Sequence, residues 1–513
     1  MVSAVSLDPL TIPVFVAFFA VFVFLGFYGA RWRKGNLNQL ADWALAGRGL
    51  GTSLAFFLVG ADIYTAYTFV AVPSGVFGKG SLYFFPVPYV AIAFGVALAF
   101  MPRLWTISRA KGYITGSDFV KDRFNSRTLS VLVAITGIVA LLPYVALQIV
   151  GMQSVLAAMF TAGGIGGDTQ EIALIIAFVI LAAFTFVSGL RGATLTAVYK
   201  DILIWISVIA VIAAALIAIG GDFSKAFAAA QAAKGANWIT VPNGLVEGYM
   251  TLVIGSALAL YLYPHAINGV LSTQSAHKLR VSTSFLPLYG IGLALLALFG
   301  ILVYSFPTSL AFIAKFPVAN RGIEVVPTLI LNLLPGWLAG IALLGVFIGG
   351  LVPAAIMAIA QANLLSRNIV KEFKPNLTEK GEVQIAKWGS AAFKFIALGF
   401  VFLTPLTYAI QLQLLGGVII IQLLPSLFLG LYTNWFRKQA LIVGLLVGLL
   451  SGIYMALVAN NFATKLYSGL NTSLYQGLYI AVIALSLNLV VTIVLSAVIP
   501  KNIPVMKQVG AKP

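Results

Sequence analysis

The chain has 513 residues, of which 61% are hydrophobic and only 9% are charged, and its mean hydropathy is +1.02. Soluble globular proteins carry roughly 25% charged residues. The composition therefore excludes a water-soluble domain and predicts an all-α integral membrane protein. The chain contains no cysteine, which excludes disulfides, thiol chemistry and metal sites built from thiolates.

Apolar segments of about 20 residues, each long enough to cross a bilayer as a helix, recur along the chain. About thirteen such spans are predicted, near 11–30, 50–71, 83–104, 128–160, 172–189, 198–220, 247–266, 284–306, 337–366, 388–408, 411–433, 439–459 and 475–499. The connections between them are too short for a soluble domain, so residues 1–513 are expected to form a single transmembrane domain.

The basic residues predict the orientation of the spans. If the N-terminus lies outside, Lys394 falls within a span and most of the 31 Lys and Arg residues fall in cytoplasmic segments. The outer segments then contain only Lys79, Lys225, Lys234, Lys315, Arg321 and Lys465. This bias predicts a plasma-membrane protein with an outer N-terminus and a cytoplasmic C-terminus. Because the basic residues are spread over many short loops, the net charge of +17 does not indicate a nucleic-acid surface.

Two predicted helices are interrupted by polar residues or proline. The first reads FFLVGADIYTAYTFVAVPSGVFGKG, and the second, five spans later, reads SALALYLYPHAINGV. Unwound backbone at membrane depth is tolerated only where it lines a cavity, and interruptions in corresponding helices of two halves are typical of transporters with inverted repeats. We therefore predict a leading helix (11–30), two five-helix repeats (50–220 and 247–433) and two peripheral helices (439–499).

Other functional classes have little support in the sequence. The acids are few and scattered, and there is no nucleotide-binding loop, metal-spaced His set or nucleophile triad. We therefore expect no enzyme activity, no metal and no cofactor. A passive channel could use the same polar residues, but the pair of interrupted helices favours a transporter.

Several motifs in order along the chain resemble one transporter family. They are DWALAGRGLG, GYITGSDFVKDRFNSR, PHAINGVLSTQSAHKLR and LPSLFLGLYTNWFRKQALIVGLLVG. Over about residues 10–460 the chain resembles the sodium:solute symporter family. The combination GADIYTAYT, PYVALQIVGM, VYKDI, YPH and LVPAAIMAI is most similar to the bacterial monocarboxylate permeases, which move small acids such as lactate, pyruvate, propionate or acetate, and sometimes alanine.

The resemblance implies a leucine-transporter-type core of five plus five helices, preceded by one helix, with sodium between the first and eighth core helices. The family's carbonyl ligands correspond to Ala61, Tyr64 and Ala355, and its pair of hydroxyl ligands to Ala358 and Ile359. The last two residues have no side-chain oxygen. Since hard cations require oxygen ligands, this departure from the family pattern puts sodium coupling in question.

Lys200 and Asp201 lie side by side in VYKDI, where the apolar run of the sixth predicted span begins. Asp201 matches a family aspartate near the ion's route to the cytoplasm, whereas the preceding residue is usually uncharged in sodium-driven members. An ammonium at this point could replace the ion and release and regain a proton. Alternatively, Lys200 extends to the interface and only enforces topology.

We favour replacement of the ion, because the hydroxyl pair is also missing, and predict proton-coupled uptake of a small monocarboxylate. The alternative is sodium-coupled symport of a monocarboxylate or of a small amino acid such as alanine or proline. The expected partners are thus a small organic anion, a coupling proton or sodium ion, and the lipid bilayer, without nucleic acid.

The charge of the substrate is expected to be met mostly by helix ends and neutral donors. Half-helix N-termini can stabilise an anion without a formal cation, and the polar candidates in the spans are Thr65, Thr68, Gln148, Tyr263, His265 and Gln413. The alternative role of the glutamines is helix-to-helix hydrogen bonding, and that of His265 is structural. Asp62 could relay protons, pair with Lys200 or cap the interrupted helix.

Overall fold

The computed structural model describes residues 5–33, 35–403, 409–460 and 478–500. This part of the chain is helical, with a single isolated bridge between Leu50 and Thr273, as the all-α prediction requires. Five of the lysines that contribute to the predicted orientation lie outside the described residues: Lys34, Lys465, Lys501, Lys507 and Lys512. The same holds for the C-terminal end of the predicted span 388–408 and the N-terminal end of the predicted span 475–499.

The helices of the first half are α1 (Thr11–Tyr28), α2 (Leu40–Leu45), α3 (Thr52–Ala61), α4 (Val72–Lys79), α5 (Pro86–Lys111), α6 (Gly116–Phe124), α7 (Arg127–Gly163), α8 (Gly167–Ser188), α9 (Leu190–Ala218) and α10 (Ser224–Lys234). Those of the second half are α11 (Val246–Leu260), α12 (Pro264–Leu271), α13 (Ala276–Phe285), α14 (Pro287–Leu302), α15 (Pro307–Ile313), α16 (Val325–Leu333), α17 (Gly336–Asn363), α18 (Lys371–Phe373), α19 (Glu379–Leu403), α20 (Ala409–Ile420), α21 (Leu424–Leu427), α22 (Lys438–Asn460) and α23 (Ile480–Val498).

The described residues contain 12 helices that are long and apolar enough to cross a membrane. The ten-residue helix α3 is too short to qualify alone, but together with α4 it forms the interrupted first core helix. Counted with the 12, this interrupted helix gives the thirteen crossings predicted from the sequence. The protein is therefore a multi-pass membrane protein.

Both predicted interruptions are present. Helix α3 ends at Ala61, and a π-helical turn, Tyr67–Ala71, precedes α4. Helix α11 ends at Leu260, and α12 begins at Pro264. A proline at the first position of a helix lacks only an amide hydrogen that would be unpaired there, and the extended backbone of Tyr263, with φ −62° and ψ 137°, is the conformation preferred before proline.

Helix α17 lies at the centre of the bundle, where it packs against α1, α7, α9 and α19. Glycines permit its close approach to its neighbours: a Cβ atom on Gly350 would lie 2.5 Å from the carbonyl oxygen of Gln148 in α7, and one on Gly349 would lie 3.0 Å from the ring of Phe69. Helix α17, the eighth helix of the predicted core, is thereby held directly against α7 and against the interrupted first core helix.

Helix α9 begins earlier than the sequence predicts. The apolar run suggests a start near residue 198, whereas the helix starts at Leu190. The polar residues in this stretch do not break it, because the hydroxyls of Thr194 and Thr196 donate to the carbonyls of Leu190 and Gly192, four residues earlier. Lys200 therefore lies within α9 and not at its beginning.

Candidate functional site

The ammonium of Lys200 reaches across from α9 to the interrupted first core helix. Nζ donates to the carbonyl oxygen of Tyr64 at 2.6 Å and to that of Ala61 at 3.4 Å. It also lies 3.0 Å from Oδ1 of Asp201. The side chains of Lys200 and Asp201 are 0% exposed, so Lys200 does not extend to the membrane interface. Its ammonium contacts two of the carbonyls that the family resemblance assigns to sodium.

The carboxylate of Asp201 has a second partner on another helix. The hydroxyl of Tyr289 in α14 donates to Oδ2 of Asp201 at 2.6 Å. A charged acceptor makes this a strong hydrogen bond. The ring of Tyr289 occupies the space beside Gly60, where a side chain would clash with it. Tyr289 was not predicted from the sequence, since a single tyrosine in the apolar stretch LPLYGIG is as easily explained by packing.

Aromatic side chains surround the ion pair. The ring centroid of Tyr64 lies 4.5 Å from that of Tyr289, 5.6 Å from that of Phe69 and 5.7 Å from that of Trp205. Tyr64, Tyr289 and Phe69 are almost completely buried. The rings keep water away from Lys200 and Asp201, and in such surroundings a charge is stable only when it is paired.

The three predicted positions on α17 lie in the interior of the same bundle. Ala355, Ala358 and Ile359 are all 0% exposed. Among the described residues, the hydrogen bonds of the Lys200 ammonium go to Ala61 and Tyr64 and not to Ala355. The side chains of Ala358 and Ile359 supply only carbon atoms at the positions to which the family resemblance assigns hydroxyl ligands.

A second group of polar side chains lies between the two interruptions. Nε2 of His265, in the first turn of α12, is 4.0 Å from Oδ1 of Asp62, which follows α3. This is too long for a hydrogen bond. Neither nitrogen of His265 and neither carboxyl oxygen of Asp62 has a hydrogen-bond partner among the described residues, and both side chains are buried. These atoms are positioned to bind a ligand or a proton.

Tyr263 and Tyr144 complete this group. The ring of His265 lies 5.4 Å from that of Tyr263 and 5.7 Å from that of Tyr144, and the two tyrosine rings are 5.3 Å apart. The hydroxyl of Tyr263 is buried without a hydrogen-bond partner in the described part of the chain. Tyr144 was not predicted from the sequence, although it lies in PYVALQIVGM, four residues before Gln148.

Three other predicted substrate residues stabilise the unwound backbone. Oε1 of Gln148 accepts from the amide of Ala66 at 2.9 Å, and its Nε2 donates to the carbonyl of Tyr144 at 3.1 Å. Oγ1 of Thr65 accepts from the amide of Tyr67 at 3.1 Å, and the hydroxyl of Thr68 donates to the carbonyl of Ile63. A substrate would have to replace or share these bonds.

Gln413 lies on α20 and is 3% exposed, and its Oε1 has no hydrogen-bond partner among the described residues. It belongs to the helix that carries Gly416, whose Cβ would lie 2.6 Å from the hydroxyl of Tyr263. Tyr263 therefore packs directly against the backbone of α20. Gln413 is connected to the group around Tyr263 through this helix.

The candidate residues are enclosed. Asp62, Thr65, Thr68, Gln148, Tyr263 and His265 are each at most 3% exposed. A substrate therefore requires a rearrangement of the surrounding helices to enter or leave, as alternating access does around a fixed site in transporters.

Comparisons with known proteins place these observations in a family. The profile of the sodium:solute symporter family matches residues 43–452. The chain is 42% identical over 436 residues to a monocarboxylate transport permease protein of Rhizobium johnstonii, covering 84% of this chain and 85% of that one. It is 34% identical to the uncharacterized symporter YodF of Bacillus subtilis, covering 83% of each chain. A sodium/proline symporter of Staphylococcus saprophyticus is 24% identical over 373 residues, 70% of this chain and 67% of that one.

The fold is that of a solved sodium-coupled sialic acid symporter in a substrate-bound, outward-open state. The TM-score is 0.75 at 13% sequence identity, covering 96% of this chain and 98% of that chain. The predicted leucine-transporter-type fold is thus confirmed. Family and fold are those of transporters rather than enzymes. The chain belongs to the sodium:solute symporter family.

Proposed function

We propose that the protein is a proton-driven symporter of small monocarboxylates in which the ammonium of Lys200 replaces the sodium ion of its relatives. The observation that carries the proposal is the pair of hydrogen bonds from Lys200 to the carbonyls of Ala61 and Tyr64. A single positive charge then holds α9 against the interrupted helix, at two of the carbonyls that, by family resemblance, bind sodium together with α17.

Lysine suits this role because its ammonium can release a proton, whereas sodium can only leave as an ion. In the charged form, Lys200 holds the end of α3 against α9. Once the proton is lost, the amine no longer neutralises Asp201, which lies 3.0 Å away, and its bonds to the carbonyls weaken. Helix α3 is then free to move away from α9, and the site opens on the side of α2.

A small carboxylate fits the second group of polar residues. His265 and Tyr263 have nitrogen and hydroxyl groups without partners among the described residues, and they lie at the N-terminus of α12, whose amides favour an anion. Asp62 would repel a carboxylate unless a proton lies between them. The named relative, a monocarboxylate transport permease at 42% identity, supports this substrate class.

The proposed location of the protein is the plasma membrane, with the N-terminus on the outer side. The distribution of Lys and Arg supports this orientation, in which α2, α6 and the basic segment after α17 lie on the cytoplasmic side. The connection between α14 and α17 is then on the outer side.

The test is uptake into proteoliposomes with proton and sodium gradients imposed separately. An inward proton gradient should drive accumulation of a short monocarboxylate, and sodium should change little. An uncoupler must abolish the accumulation, because a weak acid also crosses a bilayer unaided in its neutral form.

Variants at Lys200 separate coupling from binding. Lys200→Ala should abolish gradient-driven accumulation while retaining some exchange of substrate. Lys200→Arg should also fail, since guanidinium does not release its proton at accessible pH. Lys394→Ala is the matched control: this buried lysine of α19 has its ammonium 2.9 Å from the hydroxyl of Ser390 and lies outside the proposed site. Uptake that requires sodium and persists in the Lys200 variants would show that the carbonyls bind sodium instead.

A further inference from the structure

The chain between α14 and α17 folds back against the bundle as α15 and α16. Helix α16 packs against α4, α7, α9, α14 and α17. Its residues Val326 and Ile330 line a small apolar space together with Phe69 and Phe299. Helix α16 also packs against the π-helical turn Tyr67–Ala71, whereas α2 precedes the first half of the interrupted helix. In the proposed orientation, α16 therefore lies on the outer side of the candidate site.

A buried acid, Glu324, lies directly before α16. Glu324 is the last residue of the 3₁₀ turn Arg321–Glu324, which leads into α16. It is 1% exposed, and its Oε2 has no hydrogen-bond partner among the described residues. An ionised carboxylate without a partner is costly to bury. The enclosed position therefore favours the neutral acid.

The turn is packed tightly against the second half of the interrupted helix. It contacts α4, α7, α15, α16 and the π-helical turn Tyr67–Ala71. A Cβ atom on Gly322 would lie 3.2 Å from the carbonyl oxygen of Ser74 in α4. The carboxyl group of Glu324 can therefore gain water only if the turn separates from these helices.

Burial raises the pKa of the Glu324 carboxyl well above its usual value, and desolvation is the cause. No charged group of the described residues forms an ion pair with it. The guanidinium of Arg321 donates to the carbonyls of Phe316 and Ala314. The elements packed against the turn contain four charged or titratable groups. They are Lys79 of α4, which is exposed, Tyr67 of the π-helical turn, and Tyr144 and Arg127 of α7, where Arg127 is the first residue of the helix. Helices α15 and α16 contain none.

We propose that Glu324 is a proton-binding residue of the outer gate, and that α16 closes over the candidate site when this carboxyl group is protonated. The proton comes from the outer solution and returns to water when the turn separates from α4. This inference goes beyond the proposed function, because it depends neither on Lys200 nor on the substrate; only the assignment of this gate to the outer side rests on the proposed orientation.

The direction of the pH dependence follows from the two states of the gate. In the open gate, Glu324 is in water, where its pKa is about 4.3; in the closed gate its pKa is raised. The closed state therefore binds the proton more tightly, and low pH favours closure. The stabilisation of the closed gate is lost as the pH rises through the closed-state pKa.

The absence of cysteine from the chain allows a direct test. Thr328 lies one helical turn after Glu324 and is 0% exposed, so Thr328→Cys reports opening through its rate of maleimide labelling. Val318→Cys, at a position that is 77% exposed, gives the intrinsic pH dependence of labelling. The ratio of the two rates should rise with pH, by up to about tenfold per unit for a single titrating group.

Glu324→Gln should make this ratio low and independent of pH, because the amide mimics the protonated acid. Glu247→Gln is the matched control, since Glu247 is an exposed acid at the start of α11 on the same side, and it should leave the rise intact. A ratio that is flat with Glu324 present, or that rises equally in Glu324→Gln, overturns the proposal.

A second measurement covers the case in which Thr328→Cys does not fold. In the otherwise unchanged chain, Glu324→Gln should raise the melting temperature at about pH 8 and leave it unchanged at about pH 5, because only the ionised acid opposes closure. A variant that melts at the wild-type temperature throughout this range contradicts the role of Glu324. Neither measurement uses a substrate or a gradient, so either can fail while the proposed transport function holds.

Discussion

At the scale of single residues, several ionisable side chains are buried inside the membrane bundle. Lys200 and Asp201 are 0% exposed, and so is His265. Ionisable side chains within membrane segments are costly and usually serve transport. Their partners differ: Lys200 forms an ion pair with Asp201 and donates to backbone carbonyls, and Asp201 accepts from Tyr289, whereas Asp62 and His265 have no hydrogen-bond partner among the described residues. Lys200 and Asp201 therefore form a connection between helices that can be made and broken, whereas Asp62 and His265 are available to a ligand.

Tyr289 should be important because it donates to a charged acceptor. Removing its hydroxyl in Tyr289→Phe leaves Oδ2 of Asp201 without this donor, and a hydrogen bond to a charged group contributes about 1.5–3 kcal/mol. Tyr199→Phe is the control: Tyr199 donates to the carbonyl of Phe18 at 3.0 Å, and a hydrogen bond to a neutral acceptor contributes about 0.5–1.5 kcal/mol. Thermal melting should show the larger loss for Tyr289→Phe, and only that variant should shift the pH profile of uptake. Equal losses with equal profiles would assign Tyr289 to packing.

His265 should matter more for binding than for stability. Its two ring nitrogens have no hydrogen-bond partner among the described residues, so His265→Ala removes no hydrogen bond from that part of the substrate-free protein and leaves only a cavity. Calorimetric titration with a short monocarboxylate should show binding weakened by about tenfold or more, the equivalent of about 1.4 kcal/mol. If the melting temperature of the substrate-free protein falls sharply and binding is unchanged, His265 is a packing residue.

At the scale of helices, the sequence predicted the two interruptions because proline and clustered polar residues mark them directly. It could not predict which polar groups would serve the unwound backbone. The amide of Ala66 needs an acceptor once α3 has ended, and Gln148 supplies it from α7. This contact depends on how α7 crosses the interruption, which no local pattern encodes. For the same reason Tyr289 was missed, and α9 was predicted to start too late, since its threonines bond within the helix.

The close approach of α17 and α7 should depend on Gly350. A Cβ atom there would lie 2.5 Å from the carbonyl oxygen of Gln148, and backbone cannot move aside as a flexible side chain can. Gly350→Ala should therefore destabilise the protein by about 1–3 kcal/mol, the usual cost of overpacking, and disturb the amide of Gln148. Gly95→Ala is the matched control, since nothing lies within 4 Å of a Cβ at this glycine of α5. That change should be neutral or stabilising by about 0.4–1 kcal/mol. Equal melting temperatures of the two variants would show that the bundle relaxes around the added methyl group.

At the scale of the whole molecule, the proposed replacement of the ion by a protonatable ammonium determines the charge balance expected for transport. In this proposal, Lys200 remains in the protein throughout the cycle, and only its proton and the substrate cross the membrane. One proton with one carboxylate carries no net charge, whereas a sodium-driven symporter that uses more than one ion per carboxylate moves positive charge inward. A membrane potential contributes about 2.3 kcal/mol per elementary charge for each 100 mV, and this contribution vanishes for a neutral cycle.

We therefore expect uptake to respond to a pH gradient and not to a membrane potential. In proteoliposomes loaded with potassium, adding valinomycin imposes an inside-negative potential at equal pH on both sides, and this should produce no accumulation of a short monocarboxylate. An inward proton gradient of the same energy should produce accumulation, and clamping the potential to zero should leave it unchanged. Lys394→Ala should behave like the wild type in both arms. Accumulation driven by potential alone would mean that positive charge enters with the substrate, either as additional protons bound at Asp62 or His265 or as sodium. Repeating the potential-driven arm without sodium would decide between these sources, because only a sodium-coupled cycle stops when the ion is removed.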